Sequence, residues 1–136
     1  MPLVKLTGQE HFLIETIRKF RFLNGYHVKG IELCSSEPEI TLECRRKKRR
    51  IGIRWTNTGV LELIITKIGW IFDQEIYLEE LKSHFNMEDL GVTINPNNYC
   101  EIIRENADFV KRHAIMRIVN GKDWIRSISR RVRKTI

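Results

Sequence analysis

The sequence predicts an α+β fold: an N-terminal helix, an antiparallel meander of four to five strands, then two to three C-terminal helices packed on one sheet face. Three observations predict it. Apolar residues recur at helical spacing at the start of the chain and again beyond residue 76. Between those stretches they alternate with period two. Turn signals separate the alternating runs by short connections, which only antiparallel neighbours tolerate. A sheet with one apolar face needs cover, and the helices supply it. The 136 residues fit one domain spanning 1–136, without internal repeat, linker or low-complexity stretch.

The first element is a helix over about residues 8–22. Thr7-Gly8-Gln9-Glu10 has the capping-box order, in which hydroxyl and carboxylate each satisfy an unpaired helix N–H. Phe12, Leu13, Ile17 and Phe20 share one face, and Asn24-Gly25 supplies the left-handed stop. From Tyr26 the period falls to two. Tyr26 and Val28, then Ile31 and Leu33, make a strand whose phase slips at Gly30, where a bulge fits. Ser35-Ser36-Glu37-Pro38 turns the chain. Ile40, Leu42 and Cys44 alternate next, as do Ile51, Ile53 and Trp55. After Thr56-Asn57-Thr58-Gly59 come Leu61, Leu63 and Ile65, and Ile68 to Phe72 either extend that strand or add a short fifth.

The second half is predicted helical. Asp73 is placed to cap a segment lined by Tyr77, Leu78, Leu81 and Phe85. Asn95-Pro96 has the cap-then-proline order of a helix start. Tyr99, Ile103, Ala107, Val110, Ala114 and Ile118 then form one long stripe, closed by Asn120-Gly121. Asp123 is placed to cap a final helix carrying Trp124, Ile128 and Val132 on one side.

Composition narrows the class. Hydrophobic residues make up 42% and charged residues 30%, as in soluble globular proteins. The longest apolar run, "LIITKIGWIF" (63–72), falls short of the ~20 residues a bilayer needs, and Lys67 interrupts it. The N-terminal residues lack the ordered parts of a secretion signal, so a cytoplasmic protein with no membrane partner is expected. Cys34, Cys44 and Cys100 are odd in number and show no CxxC spacing, which argues against a disulfide framework.

Catalytic patterns are missing from the sequence. None of His11, His27, His84 and His113 has a second His or a Cys at metal-ligand spacing. Glu101 and Glu105 lie one helical turn apart, the spacing of a solvated face. Glu39, Glu43 and Glu62 alternate with core positions and so point away from the core. There is no nucleophile elbow and no glycine-rich phosphate loop. A non-enzymatic protein is expected, with neither cofactor nor metal.

Charge is partitioned along the chain. Residues 1–55 hold 12 basic and 6 acidic side chains, residues 56–110 hold 3 and 10, and residues 111–136 hold 9 and 1. Six consecutive cations, Arg45, Arg46, Lys47, Lys48, Arg49 and Arg50, fall at a predicted hairpin tip. Six like charges repel, and no Gly, Asn or Asp is present to take positive φ there. Three readings fit the block: a solvated turn, a rim that steers an acidic protein surface, and a phosphate-binding ribbon. Arg126, Arg130, Arg131, Arg133 and Lys134 add a second cationic segment. Arg126, Arg130 and Lys134 would line one side of the predicted last helix.

The order helix, meander, helices, with "ENADFVKRHAIMRIVNGKDWI" (105–125) near its end, resembles the small α+β immunity-type proteins that bacteria encode beside polymorphic toxins. The features that carry the resemblance are the long helix with Ala107 and Ala114, its Asn120-Gly121 stop, and Trp124 soon after. The resemblance implies a protein that blocks a cognate toxin by surface complementarity. Many such inhibitors are acidic, whereas this chain has a net charge of +7. Its target would then present an acidic face, or the acidic segments 73–89 and 101–108 would make the contact. Binding to a partner protein is the leading expectation. The alternative is a nucleic-acid-binding protein that uses the hairpin tip 45–50 and the basic C-terminal helix.

Overall fold

The computed structural model describes residues 8–32, 36–85, 93–95, 97–119 and 124–133. Helix α1 (Gly8–Lys19) leads into strands β1 (His27–Glu32), β2 (Glu39–Cys44), β3 (Arg49–Trp55), β4 (Leu61–Lys67) and β5 (Phe72–Tyr77). Helix α2 (Leu78–His84) follows, then α3 (Tyr99–Phe109), which continues as a π-helix over Val110–Val119. A 3-10 turn at Arg126–Ile128 leads into a last strand, β6 (Arg130–Arg133). All six strands form one antiparallel sheet in sequence order, so the fold is α+β, with a meander and C-terminal helices.

Alternation builds the core directly. Ile40, Ile53 and Leu63 stand side by side across β2, β3 and β4, and Leu42, Ile51, Ile65 and Ile76 make the next row. All are buried, with Phe12 and Leu13 of α1 and Ile103, Ala107, Val110, Ala114 and Ile118 in the same cluster. The predicted helical stripe is therefore the face that covers the sheet. Helix α1 ends at Lys19, before the predicted stop. Gly25 takes φ +84 in the later turn closed by Tyr26 N–H to Leu23 O at 3.3 Å, and the register of β1 shifts between Val28 and Gly30.

Two predicted elements are different in the structure. Asp73 caps no helix: it lies in β5, and α2 begins only at Leu78. The predicted last helix is replaced by the 3-10 turn and β6, where Val132 lies opposite Asp73. The edge of β5 offers unpaired backbone along Phe72–Glu75, and pairing with it outweighs the helical spacing of Ile128 and Val132. At the predicted Asn95 cap the side-chain Oδ1 accepts Asn97 N–H at 2.8 Å, just ahead of α3. Thr7, Asp123, the Asn120-Gly121 stop, and Leu33 and Cys34 of the first predicted strand lie outside the described residues. Among the described residues no helix is long and apolar enough to cross a membrane.

The face of the sheet away from the helices is ionic. Glu39, Arg54 and Glu62 form one cross-strand row, and Glu43, Arg50, Thr66, Glu75 and Arg130 form another. Alternating sign across strands is the favourable arrangement, since like charges directly opposite repel. Arg54 bonds Glu62, and Lys29 reaches Glu43 at 2.8 Å. Burial alone would push the Glu43 carboxyl up. The hydrogen bond from Lys29 and the charges of Lys29, Arg50 and Arg45 more than offset that, holding it below the usual carboxylate range. Glu75 goes the other way, raised by burial and by neighbouring Asp73 more than Arg50 and Arg130 lower it.

Candidate docking surface

The six-cation block divides by position. Arg45 to Lys48 form the turn between β2 and β3, closed by Lys48 N–H to Arg45 O at 3.2 Å. Arg49 is the first residue of β3 and shares the phase of Ile51 and Ile53, so its side chain enters the core side and is only 4% exposed. Its Nε donates to Ile118 O at 2.8 Å, and its guanidinium lies 5.1 Å from the Trp124 ring centre. The last carbonyls of a helix lack partners within it, and a cation there also meets the negative end of the helix dipole. Tyr26 Oη donates to the next carbonyl, Val119 O, at 2.6 Å. Burial lowers the pKa of Arg49 and raises that of Tyr26. Arg50 points to the ionic face, 4.0 Å from Glu43 and 3.9 Å from Asp73.

Lys47 is half-buried, donates to Asn24 O at 3.3 Å and lies over the Tyr26 ring. Arg45, Arg46 and Lys48 are exposed, and among the described residues no carboxylate lies within 4.0 Å of them. Lys48 has φ +54, a left-handed conformation that costs a side-chain-bearing residue roughly 1–2 kcal/mol. Glycine is the ordinary occupant of such a position. Lys48→Gly is expected to leave stability unchanged or raise it by up to about 1 kcal/mol, because strain relief is partly offset by glycine's unfolded-state entropy. Urea unfolding midpoints measure it, and a clear loss of stability would show that the lysine side chain holds the turn.

Strand directions bring the second cationic segment to the same end of the sheet. Arg49 lies opposite Lys67, and Lys67 opposite Gln74. Gln74 lies opposite Arg131, and Phe72 opposite Arg133. Arg133 therefore stands two residues beyond the Arg49 row, level with the turn tips. At ~4.8 Å per strand spacing, β3 and β6 are about 14 Å apart. Between them projects the β4–β5 turn, tied to the cationic turn by Ile68 N–H to Lys48 O at 3.0 Å.

That middle turn is apolar and open. Trp70 is 94% exposed, Ile71 63% and Phe72 39%. Gly69 makes the turn feasible: a Cβ there would lie 2.1 Å from Phe72 O, and its N–H is taken by Asp73 Oδ1 at 3.1 Å. The Arg131 guanidinium sits 4.5 Å from the Phe72 ring centre. One lip of the sheet thus carries Arg45, Arg46 and Lys48 on one flank, Trp70 and Ile71 in the middle, and Arg131 and Arg133 on the other flank. An exposed tryptophan between two cationic flanks suits a complementary surface with an apolar socket and an acidic rim.

The other predicted binding residues lie elsewhere. Arg130 is held on the ionic side, 2.9 Å from Glu80 and 4.8 Å from the Tyr77 ring centre. Arg126 is exposed in the 3-10 turn, at the opposite end of β6 from Arg133. The predicted line of Arg126, Arg130 and Lys134 along a helix does not form, and Lys134 lies outside the described residues. Sequence reasoning missed Trp70 and Ile71 because "IGWIF" fits an extension of the apolar β4. The available signal was Gly69 followed by three successive apolar residues, which no one-sided strand accommodates. No protein-family model, curated protein or solved structure compared with this chain matches it.

Proposed function

We propose that the protein is a non-enzymatic binding protein whose partner is another protein, docked on the lip formed by the β2–β3 turn, the β4–β5 turn and the end of β6. The observation that carries this reading is Trp70, almost fully exposed and flanked by cations that have no carboxylate within 4.0 Å among the described residues. Isolated apolar residues on a surface are ordinary, but tryptophan and arginine together are the residues that dominate interface energetics. Ile71 beside Trp70 favours a protein partner over nucleic acid, since an aliphatic side chain has no stacking face. Arg131 already covers Phe72, leaving Trp70 with little company for a base-stacking platform. Toxin neutralisation, as the resemblance of the sequence to immunity-type proteins implies, is the specific form this function takes in our reading. The cognate surface would be acidic.

The nucleic-acid reading keeps one point in its favour: Arg45, Arg46 and Lys48 are exposed, with no carboxylate in ion-pair contact among the described residues. A capture experiment separates the two. The immobilised protein is exposed to native extract at 50 and 300 mM salt, alongside a variant carrying Arg45→Gln, Arg46→Gln and Lys48→Gln. A stoichiometric protein is expected on the native bait, its capture falling on the order of tenfold in the variant as rim steering is lost. Nucleic acid alone, released steeply by salt, would replace this reading with the alternative.

A further inference from the structure

The two edges of the sheet are built differently. At the β1 edge, the register slips at Lys29, Gly30 follows, and Lys29 is pinned across to Glu43. A bulge and a lysine are the usual devices that deny an edge to an incoming strand. The β6 edge has no bulge; its guards are its four-residue length and three arginines, which repel a cationic strand but not an acidic one. Its four residues pair with β5 in unbroken register, from Glu75 opposite Arg130 to Phe72 opposite Arg133. All four are exposed, and among the described residues no strand pairs their outer side.

An open, regular edge offers alternate backbone N–H and C=O groups to a seventh strand. The side chains decide which strand. Arg131 and Arg133 share one face and Arg130 the other, so a second copy of β6 pairing antiparallel would set arginine against arginine. Self-association through this edge is thereby opposed, while a strand with carboxylates at alternate positions is favoured. Such a strand would end level with the β4–β5 turn that carries Trp70, because Arg133 lies opposite Phe72.

We propose that the outer edge of β6 receives an extended acidic segment of the partner protein as an added seventh strand, with carboxylates facing Arg131 and Arg133 and an apolar residue beside Val132. This rests on the reading of the lip as a protein-docking surface and names the form of its occupant. The ligand is an extended chain held by backbone hydrogen bonds, with its sequence selected by charge.

The test titrates the full-length, isotope-labelled protein with an acetylated heptapeptide of alternating glutamate and valine. Controls are the same peptide N-methylated at alternate residues, its lysine–valine counterpart, and a dT10 oligonucleotide. Shifts and slowed exchange at the Arg130–Arg133 amides are expected with the acidic peptide, with binding weakened tenfold or more by N-methylation. The double variant Arg131→Glu, Arg133→Glu should prefer the lysine–valine peptide. Equal binding of the methylated peptide would overturn strand addition, because charge alone would then suffice. So would silence at the β6 amides at 50 mM salt, or their perturbation by dT10 in place of the peptide. None of these failures touches the capture of a protein partner through Trp70, so the broader reading falls or stands separately.

Discussion

Arg49→Met is expected to lower the stability of the fold by about 3 kcal/mol, the largest single-residue effect within the basic block. Methionine keeps the unbranched stem and most of the volume but donates nothing. The substitution strips Ile118 O of the 2.8 Å bond from Nε, and the carbonyls of Lys47 and Lys48 of bonds at 3.3 and 3.1 Å. The turn carbonyls can turn to water, whereas the π-helix end lies among buried residues. Hydrogen bonds from charged donors contribute roughly 1.5–3 kcal/mol each, and a cation at a partly buried helix C-terminus up to ~2 kcal/mol. Relief from burying the guanidinium returns part of that sum, which leaves the net figure. Arg49→Lys should recover little, since an ammonium cannot serve the helix end and both turn carbonyls in one plane. Thermal and urea unfolding check this against Arg45→Met, an exposed neighbour expected to be near neutral. Equal losses at the two positions would mean that Arg49 acts only as one more surface charge.

The contrast between these neighbouring arginines shows where reading along the chain reaches its limit. Within β2, β3 and β4 each residue's face follows from its parity, so Ile40, Leu42, Ile51, Ile53, Leu63 and Ile65 were legible as core. The acids Glu39, Glu43 and Glu62 were legible as facing away by the same rule. Parity also puts Arg49 inward, but its acceptor is 69 residues distant, at the end of a helix whose length the sequence leaves open. β5 hid for a different reason. In "FDQEIY" only Ile76 enters the apolar core, while Asp73 and Glu75 belong to the ionic face, so polar content masked the period of two. Leu78 and Leu81 then suggested a helix that starts too early. β6 is shorter still, and a four-residue strand is set by the edge it joins rather than by its own pattern.

The charge partition was legible as a total and illegible as a surface. Two cationic ends around an acidic middle allow both internal neutralisation and a shared positive face. The structure divides the charges between those outcomes. Arg50 and Arg130 meet Glu43, Asp73 and Glu80, while Arg45, Arg46, Lys48 and Arg133 remain in solvent at one end of the sheet. Topology makes the difference. β6 runs antiparallel to β5, and that direction alone carries Arg133 toward the β2–β3 turn and leaves Arg126 at the other end. A terminal helix, which the apolar spacing predicted, would have lined up Arg126, Arg130 and Lys134 instead.

Trp70→Ala is expected to leave the fold intact and to weaken partner binding by about 2–4 kcal/mol, roughly 30- to 1000-fold. The two halves of that expectation have separate origins. With 94% of its surface in water, Trp70 contributes almost nothing to the folded core, so the unfolding midpoint should stay within ~0.5 kcal/mol of the parent. Burial in a partner's socket, by contrast, would remove an aromatic area of roughly 150–250 Å² from water at one stroke. On one flank of it, the three exposed cations of the β2–β3 turn, Arg45, Arg46 and Lys48, mainly accelerate encounter, so their loss should appear in the association rate and shrink with salt. Loss of the tryptophan should appear in the dissociation rate and persist at 300 mM salt. Surface plasmon resonance on the captured partner resolves the two. Gly69→Ala supplies a second handle, because a methyl 2.1 Å from Phe72 O forces the turn to rebuild while the Trp70 side chain is retained. Weakened binding in Gly69→Ala with the indole still present would mean that the turn must hold Trp70 in one pose, as a preformed anchor requires. A Trp70→Ala protein that binds its partner as tightly as the parent would remove the lip from the interface altogether.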